Sequence, residues 1–597
     1  MIQIQNKIDC CGCNACGDVC HQHAISFKID IEGFWYPVVD ADKCTDCHLC
    51  EKVCPIINVK NLKKNDLRQS ICYAAEHKNL EVVFDSTSGG LFSALADIMY
   101  KSGGYVGGAV FNDDFSVRQY ISNDKQDLPR LRSSKYLQSH LDGFYLQVKE
   151  LLNKGEKVLV CGSPCQMAAL RAFLKKDYEN LIIADYICRG INSPKVWQKY
   201  LDSFEERYGS KVVYCKAKSK EYGWRNLTQK VILANGKAYY ETAEQSNFTK
   251  GYLRTNAYCR PSCYDCKFKG YPRIADITLA DFWGIEKVDS SLEKNLGTSL
   301  VMINSKKGQA YFEQVKKRIN YVEVSLKDAE IGNGCLNDSL NPPKVNRMEF
   351  FEDLDRMTFG EISEKYITPF DNNWKSKVKS LLKYGYRFVS TTQLRPCPVY
   401  RFLRYNSLKE IIYGNVLITA PYTIIRKRKG GKIIKNGVVR IGGKRFPTSK
   451  LETRILVEKG STVTFDGDVI IGYGASIEVL RGGKLRIGNG VASNIGLTIV
   501  CKEEIEIGSN TMIGRHVTIR DNNGGHYMNL FGYRNSRPII IGEKAWLCEQ
   551  CTIMPGVKIG DGAIVGALSY VVTPVKKNSV VSGNPAQVVD EDVLWKY

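Results

Sequence analysis

What the sequence lacks narrows its reading first. The N-terminus, MIQIQNKIDCCGC, has no apolar core of export-signal length. Nowhere do roughly 18 apolar residues run together. The best attempt, Leu417 to Ile425, is half that length and is broken by Pro421. No transmembrane helix is expected, and the expected location is the reducing cytoplasm, at most peripheral at the inner membrane surface. Acidic charge is also short: 63 Asp+Glu stand against 84 Lys+Arg, a net charge of +21. Cysteine is scarce over the C-terminal half, where only five follow Cys266.

Elsewhere cysteine is dense. Of 22, ten fall between Cys10 and Cys72 and seven between Cys161 and Cys266. In a reducing compartment this means metal or redox chemistry rather than disulfides. The 597 residues, 44% hydrophobic, suffice for about three to four domains and exclude wholesale disorder. Four segments differ in pattern. Residues 1–62 are cysteine-dense with short strands. Residues 70–335 alternate apolar strands, such as Tyr105–Phe111, Lys157–Cys161 and Leu181–Ile187, with helical stretches. Residues 340–435 read as a basic helical linker. Residues 436–597 lose helical periodicity and repeat Ile-Gly pairs.

The first segment holds Cys10-x2-Cys13-x2-Cys16-x3-Cys20 and Cys44-x2-Cys47-x2-Cys50-x3-Cys54-Pro55. Each has the spacing of the bacterial ferredoxin run, whose fourth cysteine serves the other cluster. This assigns Cys10, Cys13, Cys16 and Cys54 to one [4Fe–4S] cluster and Cys44, Cys47, Cys50 and Cys20 to a second. Zinc sites of four thiolates use two separated C-x2-C pairs instead. The segment resembles a two-cluster ferredoxin domain, with His21 where the first motif usually has proline.

In the second segment STSGGLF (Ser86–Phe92), SSKYLQS (Ser133–Ser139), GSPCQMAALR (Gly162–Arg171) and CRPSCYDCKF…ADITLADFWG (Cys259–Gly284) occur in this order. The first and third put small residues at helix starts, where free N–H groups favour phosphate. Together the four resemble the coenzyme F420 hydrogenase/dehydrogenase beta-subunit family, over residues 1 to about 330. The resemblance implies an α/β flavoprotein that exchanges electrons between iron–sulfur clusters, FAD and an organic substrate. It makes Ser88, Gly89, Gly90, Ser134, Lys135 and Tyr136 candidates for flavin contact, with Gly162, Ser163 and Asp281 adding to the site. Lys135 would meet a flavin phosphate or the ring.

Cys263-x2-Cys266 supplies two ligands for a third [4Fe–4S] cluster. Cys165 and Cys188 each follow a strand and are expected at one sheet edge, completing the set. Cys161, Cys215 and Cys259 then read as structural thiols, with Cys259 the first substitute ligand. Three clusters at roughly −2 each leave the chain basic.

In the last segment aliphatic residues step by six through Ile507, Ile513 and Ile519, and again through Leu547, Ile553, Ile559 and Val565. A six-residue step fits a parallel β-helix, not a sandwich. The motifs IGRHVTIRDNNGGH, IIIGEKAWLCEQCTIMPGVKIGDGAIVGALSYV and SGNPAQVV resemble hexapeptide-repeat sugar O-acetyltransferases, over roughly the last quarter of the chain. That resemblance implies a left-handed helix, a trimer and acetyl-CoA as donor. A loop after Ile519 interrupts the repeat until Ile539 and carries His526, the expected general base. Asp521 or Asn523 would orient its ring. Trp546, Gly566, Ala567, Asn584 and Pro585 would line the groove for acceptor and CoA. Leu568 stands where the family has a smaller residue.

The expected protein is a bifunctional iron–sulfur flavoprotein oxidoreductase and O-acyltransferase of surface-polysaccharide synthesis. Its electron donor would be a ferredoxin or a reduced nicotinamide or flavin partner. The alternatives are a β-helix that only trimerises the reductase, or a ferredoxin half that relays electrons to another enzyme. The basic linker is compatible with a membrane surface or a lipid-linked sugar, and nothing points to nucleic acid.

Overall fold

The computed structural model describes residues 1–62, 65–371, 385–443, 449–526, 534–593 and 595. It divides into two compact units, Met1–Asn373 and Trp374–Tyr597. Among the described residues no helix is long and apolar enough to cross a membrane.

The first unit opens with the ferredoxin-like segment. A two-stranded hairpin pairs Ile25–Ile29 with Trp35–Val39. It separates two one-turn helices, Ala15–Asp18 and Leu49–Lys52. The helices are entered alike: Asn14 (φ 60°) and His48 (φ 58°) both take the left-handed conformation. Each sits between the second and third cysteine of its run and reverses the chain there. Asn and His tolerate such a backbone better than branched residues do.

The centre of this unit is a mixed nine-stranded sheet. Tyr105–Phe111, Val158–Gly162, Leu181–Tyr186 and Ile277–Asp281 lie side by side in parallel. These strands are buried and apolar because helices cover both faces, as parallel sheets require. One face packs against Leu91–Lys101 and Lys306–Val315. The other packs against Phe144–Asn153 and Pro164–Leu174. Register fixes the consequence for function. Gly162 stands opposite Asp185, and Tyr186 opposite Leu279. The last three of these strands therefore end together and deliver Cys165, Cys188 and Asp281 to one sheet edge, where open α/β sheets bind ligands.

The stretch 340–435 is not one linker. Helices Arg347–Arg356 and Phe359–Tyr366 send Phe350, Phe351, Leu354, Phe359 and Ile362 into the core around Trp197 and Tyr200. Arg347 clamps Glu32 with two bonds of 2.8 Å, tying them to the ferredoxin segment. The far end of the stretch is solenoid already: strands run at Leu417–Thr419, Thr423–Lys427 and Lys432–Lys435. The first coils are longer at their corners, so the six-residue step is lost there. Lys432 pairs with Thr462, whereas in later coils Ile540 pairs with Lys558.

The second unit is a parallel-strand β-helix of three sheets. Its inward columns follow the six-residue step. Ile507, Ile541 and Ile559 stack, as do Ile513, Leu547 and Val565, and Ile519, Ile553 and Val571. All nine are buried in one continuous core. Cys501 and Cys551 fill places in it as small apolar groups. Helix Pro396–Tyr405 caps the open end with Phe402 packed on Val416 and Ile418. Asn406 closes it, its side chain bonding both N–H and C=O of Leu417 at 2.8 and 2.9 Å. This cover shields the first strand, Leu417–Thr419, at the end of its sheet.

Candidate functional site

Three adjoining cavities run through the first unit. One is lined by Cys10, Cys13, Cys16 and Cys54, with Cys11, Ile2 and Phe27. This is the four-thiol set expected of the first cluster. Cys50 lies near enough to Cys16 to act on it electrostatically. Cys20 Sγ accepts the Ala24 N–H at 3.4 Å.

The second cavity gathers six cysteines: Cys11, Cys165, Cys188, Cys263, Cys266 and Cys335. The four expected of a third cluster are all present. Cys11 and Cys335 join them unexpectedly, since no local spacing marks either. Cys259 contributes no wall; it is fully buried, its thiol donating to Asn192 Oδ1 at 3.5 Å. Five basic side chains, Arg189, Arg260, Lys267, Lys269 and Arg273, share the lining with no carboxylate. Lys269 Nζ donates to the carbonyls of Cys188 and Cys335 at 2.5 and 2.6 Å, which fixes their relative position. Burial drives the pKa of the Cys188 and Cys263 thiols upward, so any metal bound there would have to displace their protons. Thiols ringed by cations suit an anionic iron–sulfur cluster better than any neutral ligand.

The third cavity is the largest of these three, about 440 Å³. It brings together Ser88, Gly90, Ser134, Lys135, Tyr136, Gly162 and Asp281, all expected of a flavin site. Gly89 and Ser163 sit behind its wall. A Cβ on Gly89 would meet Ala75 O at 2.4 Å, so glycine is what lets the loop lie on the sheet. Ser163 caps helix Pro164–Leu174 in a box with Gln166, and its hydroxyl lies 3.2 Å from Cys165 Sγ.

Four cations and one carboxylate face this cavity: Arg132, Lys135, Arg189 and Lys218, and Asp281. Lys218 Nζ donates to Asp281 Oδ2 at 2.7 Å and lies 4.8 Å from the centre of the Trp283 ring. Trp283 stacks on Trp224 at 4.4 Å. Lys135 turns back to donate to the carbonyls of Arg130 and Arg132 at 2.6 and 2.8 Å. Burial, and after it the charge of Lys216 nearby, lowers its pKa to about 7. Gln119 Oε1 is buried with no hydrogen-bond partner and belongs to a cavity residue. A flavin fits these residues: it offers a donor for Gln119, phosphate for the cations and a flat ring for Trp283.

The alternating lysines Lys216, Lys218 and Lys220 belong to none of the sequence motifs. They lie at and just beyond strand Val212–Ser219 and point the same way. Lys216 bonds Asp85, and Lys220 bonds the Ser88 carbonyl. Lysine at period two at the end of a strand-like run, VVYCKAKSK, is the signal that could have found them.

In the second unit the interrupting loop is described as far as His526, which is exposed; residues 527–533 of the loop lie outside the described residues. Asn523 Nδ2 donates to the His526 carbonyl at 2.7 Å, and its Oδ1 is buried without a partner. Asp521 does not serve the imidazole as expected. It is fully buried, and its carboxylate accepts Lys502 N–H at 2.7 Å, Glu503 N–H at 2.8 Å and Asn522 Nδ2 at 3.0 Å. It anchors the loop base. Trp546, Ala567, Leu568, Asn584 and Pro585 are exposed on the coil surface. Trp546 leans on Trp595 at 5.4 Å. Gly566 is needed where it stands, since a Cβ would meet Ser582 Oγ at 2.7 Å.

Residues 9–57 match the 4Fe-4S dicluster domain. Residues 155–329 match the family model for the C-terminal part of the coenzyme F420 hydrogenase/dehydrogenase beta chain. Residues 538–572 match the bacterial transferase hexapeptide, six repeats. The galactoside O-acetyltransferase of Escherichia coli is 32% identical over 141 residues, covering 23% of this chain and 70% of that one. The second unit thus makes the chain a member of the hexapeptide-repeat acetyltransferases, while the first unit is similar to the F420 hydrogenase/dehydrogenase beta chain over the matched residues. A second E. coli protein, provisionally named a lipopolysaccharide biosynthesis O-acetyl transferase, is 27% identical over 24% of this chain and 79% of its own length. The F420-reducing [NiFe] hydrogenase complex from Methanosarcina barkeri contains a chain 18% identical over 52% of this one and 91% of its own, with a TM-score of 0.31. The family matches and the acetyltransferase relatives support an enzyme with oxidoreductase and acyltransferase units.

Proposed function

We propose that the chain is an iron–sulfur flavoprotein reductase joined to an acetyl-CoA-dependent sugar O-acetyltransferase of surface-polysaccharide synthesis. One observation carries the redox half: the three cavities adjoin. Cys11 lines both the first and the second. Cys188, Arg189, Gly190 and Ile191 line both the second and the third. Walls of single residues suit electron transfer, which needs short gaps and no diffusion. Cys10, Cys13, Cys16 and Cys54 would hold one cluster, Cys44, Cys47, Cys50 and Cys20 another, and Cys165, Cys188, Cys263 and Cys266 a third. When bound, the clusters supply one-electron steps and the flavin the change to two-electron chemistry. The chain itself would provide Arg132, Lys135 and Arg189 for the phosphates, the Lys218–Asp281 pair as a polar contact, and apolar walls.

In the second unit His526 takes the proton of an acceptor hydroxyl as its oxygen attacks the acetyl carbonyl. The C–S bond of the thioester breaks and CoA leaves as thiolate, reprotonated from the imidazolium. The left-handed hand and the trimer of the related enzymes are part of this reading. So is a peripheral membrane contact, supported by exposed Leu394, Tyr400, Leu403 and Leu408 beside Arg395 and Arg404.

Anaerobic purification tests the redox half. About twelve irons per chain and one flavin are expected, at four irons per cluster. About eight irons would remove the third cluster by the same count, and absence of flavin would sink the reductase.

A further inference from the structure

Arg260 is the most buried arginine of the first unit, at 1% exposure. Its guanidinium makes four hydrogen bonds, and none is to a carboxylate. Nε donates to Cys10 O at 2.9 Å, Nη1 to Gln138 Oε1 at 2.8 Å, and Nη2 to Trp35 O at 3.1 Å and to Cys10 Sγ at 3.5 Å. Tyr36 and Phe34 place their rings 4.4 and 5.3 Å from Cζ. Among the described residues no acidic side chain reaches ion-pair distance of it. The other deeply buried arginine of the unit, Arg273, meets Asp185 at 2.9 Å.

An unpaired buried charge costs several kcal/mol. Holding three oxygens does not require one, because neutral donors would serve. What distinguishes Arg260 is its place. It bonds the sulfur of Cys10 in the first cavity and also lines the second, between two sets of four thiols. Gly12 makes room for it: a Cβ there would lie 2.8 Å from Cζ, and φ is +70°. The loop that carries the first three thiols is built around this cation.

We propose that Arg260 is the shared counter-charge of the two clusters and holds their reduction potentials up. Reduction adds negative charge to a cluster, and a buried cation at its ligand sulfur favours that state. Arg260 is therefore a positioning residue for electron transfer, acting through Cys10 and the wall of the six-cysteine cavity.

The inference rests on the cluster assignment proposed above, and the two fail differently. If the anaerobically purified full chain lacks clusters, the assignment falls. If clusters assemble, EPR-monitored redox titration of wild type, Arg260→Gln and Arg260→Lys decides the role of Arg260. Expected is a downward shift of midpoint potential in Arg260→Gln at full iron content, largest for the cluster on Cys10. Arg260→Lys should recover much of it. Unchanged potentials in Arg260→Gln with full iron overturn the proposal. Should Arg260→Gln lose iron, Arg260→Lys decides: full iron with near-native potentials supports the counter-charge. Iron loss in Arg260→Lys as well shows that only the shape of the guanidinium matters, and overturns it.

Discussion

In the first unit the reactive side chains come from far apart in the sequence. Cys11 arrives from the N-terminal segment, Cys165 and Cys188 from two strand ends, and Cys335 from beyond the sheet, all into one cavity. In the second unit the strands pair coil to neighbouring coil, and the proposed chemistry belongs to one inserted loop at 521–538. The first therefore concentrates charge and thiols in a shared interior. The second keeps its interior apolar, and the chemistry proposed for it lies outside that interior. A change in the first unit should travel between its centres, whereas one in the second should stay in its coil or its loop.

The sharpest way to break this contrast is His526→Ala. Acetyl transfer to sugar acceptors should fall about 10²–10⁴-fold, the usual worth of a general base. Iron and flavin content should not move. Wild type and variant equally inactive with every acceptor, while trimers persist, would leave the β-helix a scaffold. Next in size is the double change Cys263→Ser, Cys266→Ser. Iron should drop from about twelve to about eight per chain, and reduction of the bound flavin by an external donor should stop, with acetyl transfer intact. Flavin reduction at the wild-type rate would show that the six-cysteine cavity is not on the electron path.

The same contrast explains what the sequence disclosed. Tight ferredoxin spacing and a six-residue step are local rules, so Cys10, Cys13, Cys16 and Cys54, and the columns through Ile513 and Ile553, are legible directly. Cys165 and Cys188 are reachable because each follows an apolar strand and parallel strands end together. Cys11, Cys335 and Arg260 are not, because their roles exist only once distant segments meet. The early coils from Leu417 look like linker helix in the sequence because longer corners hide the repeat. Asp521 misleads for a related reason: an acid near a loop histidine looks like its partner, but the fold turns it inward to bind backbone N–H groups.

A core deletion tests independence at a smaller scale. Ile513→Ala removes one rung from the column of Ile513, Leu547 and Val565. It should cost about 2–5 kcal/mol, as buried aliphatic truncations do. Calorimetry should show the transition that abolishes acetyl transfer moving down while the temperature of flavin release stays put. A common shift of both would mean that the units unfold as one.

The smallest effect is a pH dependence. Lys135 without a ligand sits at about 7, lowered by burial and then by Lys216. A bound phosphate favours the ammonium form, so the liganded lysine titrates higher. Below the free value the lysine is protonated with or without flavin, and affinity is at its maximum. Above it each binding event must take up a proton, and affinity should fall by up to about tenfold per pH unit until the liganded lysine also titrates. Fluorescence of released flavin, followed upward from about pH 6, measures this. Lys135→Met should bind more weakly at the acid end and lose the slope. A wild-type curve as flat as that of Lys135→Met would mean that Lys135 only holds the 130–132 turn, and the phosphate would then fall to Arg132 or Arg189.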